Sequence, residues 1–139
     1  MQPDPAQLED FARRYATAWS SHDPASVAAF FSVDGVLTVN SGVPAEGRHE
    51  ITAVAESFMS AFPDMRVTMD KLILSPDYAE FHWTLRGTNT GPGGSAHRVC
   101  ISGFEVWRIG ADGLILSSQG HFDSADYQHQ LDHGTRESS

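Results

Sequence analysis

The sequence has few basic residues and a single cysteine. It contains nine Lys and Arg against eighteen Asp and Glu, so the net charge is −9 with neutral histidines. Binding to nucleic acid or to an anionic membrane requires clustered positive charge, and we therefore expect neither as a partner. The lone Cys100 excludes an intramolecular disulfide and a zinc site built on several cysteines.

Long hydrophobic runs are also missing. No apolar segment approaches the roughly 20 residues that span a bilayer, and the N-terminus lacks the basic start and apolar stretch of a secretion signal. We therefore expect a cytoplasmic protein. The chain has 139 residues, of which 40% are hydrophobic and 10% aromatic. That is enough for one core, so we predict a single domain over 1–139, with its core at about 8–131 and a frayed tail at 132–139.

Helical patterns dominate the first half of the chain. Apolar residues recur at helical spacing near residues 5–20, again from Pro24, and again from Ile51 until Phe62. Asp23 and Pro24 predict the start of the second helix, whose buried stripe would include Phe31. A short strand is predicted at 36–39, between the second and third helices.

From residue 65 the hydrophobic period changes from 3.6 to two, which is typical of strands. Strands are predicted at 65–74, 78–88, 97–109 and 114–122, followed by a short helix at 124–131. Short turns join these strands, so neighbouring strands must be antiparallel. The order predicts an α+β fold in which a curved sheet packs on three N-terminal helices and leaves a pocket on its concave side.

Five segments carry a further signal. They read YATAWSSHD at 15–23, FPDMRV at 62–67, WTLRGTNTG at 83–91, SGFEVWR at 102–108, and an ending with Phe122, Asp123, Gln130 and Leu131. In this order they resemble the SnoaL-like polyketide cyclases, or ester cyclases, of the NTF2-like superfamily, which includes ketosteroid isomerase. The resemblance implies a cone-shaped barrel with an antiparallel or mixed sheet. Asn89 stands where the family usually has histidine.

The resemblance implies that Asp123 is the general acid and base of an intramolecular aldol closure on an apolar, carbonyl-bearing small molecule. Such a substrate delocalises its own enolate, so no metal or organic cofactor is expected. His121 lies two residues earlier and would share a strand face with Asp123, where it could assist. The alternatives are that Asp123 caps the terminal helix and that His121 faces solvent.

Six other residues are candidates for substrate binding: Tyr15, Trp19, Phe62, His82, Phe104 and Gln119. Gln119 could donate a hydrogen bond to a carbonyl oxygen, whereas Tyr15 and Trp19 could stack on a flat ligand or belong to the core. Alternation alone does not show which strand face is concave. We favour an outward His82.

Other functions fit the same scaffold. An isomerase or dehydratase is the nearest enzymatic alternative, and a non-catalytic ligand-binding or dimerisation module is the alternative outside enzymes. Val99, Trp107 and Ile109 on the outer face of the sheet would form an apolar patch, which predicts a homodimer through that face. His129 and His133 have helical spacing, but we interpret them as part of a solvated tail and expect no metal.

Overall fold

The structure is a computed structural model that describes residues 4–135. Within that range there are four helices and six strands. They are α1 Pro5–Trp19, α2 Pro24–Ala28, β1 Phe31–Val39, β2 Ala45–Glu46, α3 Gly47–Ala61, β3 Arg66–Leu74, β4 Ala79–Thr88, β5 Arg98–Ile109, β6 Ile115–Phe122 and α4 Ser124–His133. The α+β class and the three helices ahead of the long strands are confirmed.

All six strands form one sheet in the order β2-β1-β6-β5-β4-β3. The four long strands β3 to β6 pair antiparallel, as the short turns predicted. β1 is parallel to β6, so the sheet is mixed. β2 and β3 stay at the two edges, and the curved sheet therefore does not close into a barrel.

Two predicted boundaries were wrong, and one strand was not predicted. α2 ends at Ala28, and Phe31 belongs to β1, where it pairs with Ile115. β2 was not predicted, because two residues carry no periodic signal. α4 continues to His133, so the predicted tail at 132–139 begins too early, and residues 136–139 lie outside the described residues.

α1 illustrates how local sequence fixes an element that later forms one wall of the site. Asp4 caps it by accepting hydrogen bonds from the backbone N–H groups of Ala6 and Gln7, and Pro5 occupies its first turn. The face that packs on the sheet carries the buried residues Leu8, Phe11, Ala12, Tyr15, Ala16, Ala18 and Trp19. Burial of this stripe fixes the orientation of the helix.

Alternation along β4, β5 and β6 creates two faces. We call the face that bears Phe81, Glu105 and Trp107 the inner face, since all three are buried. The opposite, outer face bears His82 and Phe104, which are half-buried.

The predicted apolar patch on the outer face was wrong. Trp107 and Val99 are 0% and 2% exposed, and Ile109 is half-buried. The alternation along β5 places these residues on the inner face, opposite to the predicted one. A homodimer through the sheet stays a prediction, without the exposed patch on which it was based.

None of the helices within residues 4–135 is both long and apolar enough to cross a bilayer.

Candidate functional site

A cavity of about 60 Å³ lies between the inner face and the helices. It is partly open to solvent and has room for a few water molecules or a small part of a ligand. Its lining is Trp19, Leu37, Val39, Phe58, Val67, Phe81, Trp83, Leu85, Ile101, Glu105, Gly120 and Phe122. Glu105 is the one ionisable residue in that lining, and every other member except glycine is a hydrophobic or aromatic residue.

Glu105 lies in the middle of β5 and is held by three hydrogen bonds. The Tyr15 hydroxyl, the Trp107 Nε1–H and the Ser118 hydroxyl donate to its Oε1 at 3.0, 2.9 and 2.7 Å. The donors come from α1, β5 itself and β6, so the packing of three elements fixes the carboxyl group. All three donors reach the same oxygen, and none of them occupies Oε2.

The electrostatic setting of Glu105 is unusual for a glutamate. Burial raises its pKa above the ordinary 4.5, while the hydrogen bonds from Ser118, Trp107 and Tyr15 act in the opposite direction. No Lys, Arg or His of residues 4–135 forms an ion pair with it. A carboxyl group with a raised pKa in an apolar cleft is a good candidate for proton transfer near neutral pH.

Tyr15 complements this carboxyl group. It is fully buried, and its pKa is raised well above 10.0, first by burial and then by the charge of Glu105, while an interaction with the Trp19 side chain acts in the opposite direction. The phenol therefore stays protonated and serves as a hydrogen-bond donor. It orients Glu105 and does not itself exchange a proton at physiological pH.

Two glycines, one on β5 and one on β6, leave space for other groups on the inner face. Gly120 lies opposite Glu105 in the β5–β6 pair, and it lines the cavity. At Gly103, a Cβ atom would come within 2.3 Å of the His121 carbonyl oxygen and 2.8 Å of Trp83 Cζ2. The Trp83 ring therefore occupies the space that a side chain at position 103 would need.

The structure places Asp123 outside the cavity. β6 ends at Phe122, and Asp123 is exposed at the start of α4, where its Oδ1 accepts a hydrogen bond from the Asp126 N–H at 3.0 Å. This is the capping role that the sequence left open as the alternative. The side chain cannot share a strand face with His121, because the strand has already ended.

The polar residues predicted beside Asp123 lie on the outer face. His121 packs on Phe104 with ring centroids 4.9 Å apart, and Phe104 stacks on His82 at 5.3 Å. His82 contacts Glu80 through Nε2 at 3.1 Å, in agreement with its favoured outward orientation. Gln119 donates to the Asn40 carbonyl oxygen at 2.8 Å. None of these four side chains lines the cavity.

Two of the aromatic candidates lie at the cavity, whereas Phe62 does not line it. Trp19 lines the cavity, and Tyr15 reaches it through its hydrogen bond to Glu105. Phe62 is fully buried at the end of α3, where its ring lies 6.4 Å from that of Tyr127. Asn89 has a structural role, since its side chain bonds the Ala61 carbonyl oxygen and the Ser95 N–H.

No cluster of three or more His, Cys, Asp or Glu side chains between residues 4 and 135 has a geometry that could hold a metal ion. The His129 and His133 rings lie 4.8 Å apart without a third such ligand.

Glu105 was not predicted as a site residue, although the sequence contains a signal for it. Glu105 shares its strand parity with Ile101 and Trp107, so a charged side chain interrupts an apolar face of a central strand. Lys, Glu, Arg and Asp are almost never fully buried without a partner or a function. The segment 102–108 resembles the family as a whole, and this resemblance does not by itself single out the Glu105 carboxyl group.

Comparisons with solved structures agree on the fold. A candidate SnoaL-like polyketide cyclase from Jannaschia sp. CCS1 superposes with a TM-score of 0.81 at 16% identity, over 97% of this chain and 99% of that one. A second match is a hypothetical protein with a ketosteroid isomerase-like fold from Catenulispora acidiphila, in complex with trimethylamine. Its TM-score is 0.77 at 17% identity, over 94% of each chain. The epoxide hydrolase/cyclase-like enzyme SalBIII has a role in pyran ring formation in the polyether salinomycin. It superposes with a TM-score of 0.76 at 16% identity, over 88% of this chain and 95% of that one.

No protein of curated function matches the sequence significantly. The family model for the SnoaL-like domain matches residues 12–118, a range that begins in α1 and ends within β6. It therefore contains every residue of the Glu105 hydrogen-bond network. The chain belongs to the SnoaL-like family, with the NTF2-like, ketosteroid isomerase-like fold.

Proposed function

We propose that this protein is a small-molecule enzyme that transfers protons with Glu105 on an apolar, carbonyl-bearing substrate. The single observation that carries the proposal is the buried Glu105 carboxyl group, which lines an otherwise apolar cavity and has a raised pKa. Glu105 takes the role that the resemblance assigned to Asp123, because Asp123 is exposed and engaged in capping. His121 is not part of the proposed site, because it packs on the outer face.

The reaction that this geometry supports is a ring closure of the aldol type. The Glu105 carboxylate removes a proton from a carbon next to a carbonyl group, and the C–H electron pair moves to the carbonyl oxygen to give an enolate. The enolate carbon attacks a second carbonyl carbon of the same molecule and forms a C–C bond. The proton held by Glu105 then passes to the new alkoxide, so the product is an isomer of the substrate.

Each part of the network has a place in this scheme. The three donors on Oε1 fix the carboxyl group, which leaves Oε2 as the oxygen that exchanges the proton. Desolvation brings the pKa of Glu105 towards working pH, where a general base is most effective. The structural neighbours include a candidate polyketide cyclase and an enzyme of pyran ring formation, which supports ring-forming chemistry on this fold.

Deuterium exchange at the α-carbon of an apolar ketone tests the proton-transfer step without the natural substrate. The probe is tetralone in D₂O, followed by proton NMR. We expect the wild-type protein to accelerate exchange and Glu105→Gln to reduce the acceleration about 10²- to 10⁴-fold, since general bases contribute on that order. Glu105→Gln keeps an oxygen for the three donors.

Asp123→Asn is the matched control, because it changes a carboxyl group that lies outside the cavity. It should leave the exchange rate unchanged. Exchange that survives in Glu105→Gln, or that is lost in Asp123→Asn, would contradict the assignment.

A non-catalytic binding module is the second candidate. It is favoured by the three intramolecular donors on Glu105, which also suit a carboxyl group that ties α1 to the sheet. This candidate predicts that the wild-type protein binds tetralone but does not accelerate its exchange.

A further inference from the structure

A second cleft lies at the end of the sheet where β3 begins, β4 ends and β5 begins. Its volume is about 350 Å³, which reaches the range of about 300–1,000 Å³ for small-molecule sites. It shares no lining residue with the Glu105 cavity. We call it the arginine cleft, and its lining includes Asp64, Arg66, Arg86, Thr88, Arg98 and Cys100.

Strand register brings three arginines together in this cleft, on the outer face of the sheet. Arg66 lies directly opposite Arg86 in the β3–β4 pair, and Arg86 lies opposite Cys100 in the β4–β5 pair. Arg98 precedes Cys100 by two residues, so it is the diagonal neighbour of Arg86 on the same face. Opposite Cβ atoms are about 5 Å apart and diagonal positions about 7–8 Å, so three long side chains can reach one ligand group.

The three guanidinium groups have no ion-pair partner in residues 4–135. None of them forms an ion pair or a hydrogen bond there, whereas Arg13 and Arg14 on α1 each pair with a carboxylate at 2.9 Å. Like charges directly opposite each other destabilise a pair of strands, so the Arg66–Arg86 pair is unfavourable in the free protein. An anion bound between the arginines would replace this repulsion with attraction.

The charge of the cleft is positive, although the chain as a whole is acidic. Three of the nine Lys and Arg residues line it. Asp64 is the one carboxyl group in the lining, and its Oδ1 accepts a hydrogen bond from the Thr88 N–H at 2.7 Å, which lowers its pKa. Asp64 is therefore ionised at neutral pH. Three positive charges and one negative charge give the lining a net charge of +2.

We propose that the arginine cleft binds the phosphate group of a phosphate monoester. Above its second pKa of about 6 such a group carries nearly two negative charges, which match the positive charge of the lining. Its three terminal oxygens accept hydrogen bonds, and the planar fork of a guanidinium group suits them. The volume of the cleft leaves room for the organic part of the ester beside the phosphate group. This inference does not depend on the role of Glu105.

Calorimetry with three small anions tests the proposal. Phenyl phosphate is a dianion at pH 8, because its second pKa is about 6, and phenyl sulfate is a monoanion of nearly the same shape. At low ionic strength we expect the wild-type protein to bind phenyl phosphate about tenfold more tightly, since charge-assisted hydrogen bonds strengthen with the second charge. Phthalate divides two charges between separate carboxylates, and it should bind more weakly than phenyl phosphate.

The matched variants are Arg86→Gln and Arg108→Gln. Arg86→Gln removes the central guanidinium group and should weaken phenyl phosphate binding about tenfold, as for the loss of one hydrogen bond to a charged group. Arg108→Gln removes the same charge from β5 outside the cleft, and it should leave the affinity unchanged. Equal losses in the two variants would overturn the proposal, as would a wild-type protein that binds no phenyl phosphate or prefers phenyl sulfate or phthalate.

Urea denaturation distinguishes a binding role of Arg86 from a structural one. In the absence of anions, Arg86→Gln should not lower the unfolding midpoint, because it removes the repulsion with Arg66. Phenyl phosphate should raise the midpoint of the wild type more than that of the variant, since a ligand of the folded state stabilises it. A lowered midpoint in Arg86→Gln together with an unchanged affinity for phenyl phosphate would show that the residue is structural.

These measurements are independent of the proton-transfer assay. Glu105→Gln should bind phenyl phosphate as the wild type does, because the two cavities share no residue. If Glu105→Gln retains ketone exchange, the proposed function fails and the arginine cleft is still tested by the anions. If phenyl phosphate does not bind while Glu105→Gln abolishes exchange, the proposed function stands and the assignment of the arginine cleft is wrong.

Discussion

The inner and outer faces of β4, β5 and β6 differ in chemistry although they are made from the same strands. On β5, Phe104 and Glu105 are sequence neighbours, yet the aromatic ring is half-buried between two imidazoles on the outer face and the glutamate is buried on the inner face. At this point of the strand the charged residue is buried and the aromatic residue is partly exposed, which is the reverse of the usual pattern. The difference shows that the surroundings, and not the residue type alone, decide which group acquires unusual chemistry.

The carboxyl groups of Asp123 and Glu105 also differ because of their surroundings. Asp123 is exposed and accepts one backbone hydrogen bond, whereas Glu105 accepts three side-chain hydrogen bonds in an apolar cavity. Water stabilises the charge of the first, while desolvation raises the pKa of the second. Substitutions on each face and at each carboxyl group should therefore have unequal effects on stability.

The largest difference in stability is expected between two phenylalanines on opposite faces. Phe81 is 0% exposed and stacks on Trp107 with centroids 5.0 Å apart, so Phe81→Ala should lower the free energy of unfolding by about 3–5 kcal/mol. Phe104→Ala on the outer face should cost only about 1 kcal/mol, because the ring is already partly solvated. Urea denaturation of both variants provides the comparison. Equal losses would mean that the outer face is covered in solution.

The pH dependence of stability should distinguish Glu105 from an ordinary surface carboxyl group. Its pKa in the folded state is raised above 4.5, so below that value both the folded and the unfolded protein carry it protonated. As pH rises above 4.5, the unfolded state ionises first, and the wild type should lose stability relative to Glu105→Gln by about 1.4 kcal/mol per pH unit. The loss ends once pH passes the folded-state pKa.

Urea denaturation of the wild type and of Glu105→Gln, repeated from pH 4 to pH 8, measures this difference. A difference in unfolding free energy that does not vary with pH would show that the pKa of Glu105 is the same in both states.

The smallest expected effect concerns the exposed carboxyl group. Asp123→Ala removes the N-cap of α4 and should lower the free energy of unfolding by about 1 kcal/mol. Asp123→Ser should restore most of that loss, since serine caps nearly as well, and neither variant should change ketone exchange. A loss of exchange in Asp123→Ser with unaltered stability would return the catalytic role to this residue.

Features that depend on local sequence were predictable. The stripes of α1 and α3 follow from spacing within each segment, and the capping of α4 follows from Asp123 and an N–H only three residues away. The short turns were enough to fix the antiparallel order of β3 to β6. The Phe31 pairing with Ile115 was not predictable in this way, because its partner is remote in the chain.

The candidate site depends on such remote contacts. Alternation showed that Val99 and Trp107 share a face, but the packing of α1 decides that this face is the inner one. Glu105 could have been singled out by its parity with Trp107. Its three donors could not be predicted, because they come from α1, β5 and β6 and meet at Glu105 only in the folded chain.

The Tyr15–Glu105 hydrogen bond joins residues that are ninety positions apart, and Leu37 pairs with Ser118 across the parallel strands. During synthesis the ribosome releases α1 and β1 long before it releases β6. A nascent chain that ends before Ser118 contains the carboxyl group and two of its donors but cannot complete the network. The Glu105 carboxyl group therefore acquires its full set of donors only after β6 has been synthesised, long after α1 and β1 are available.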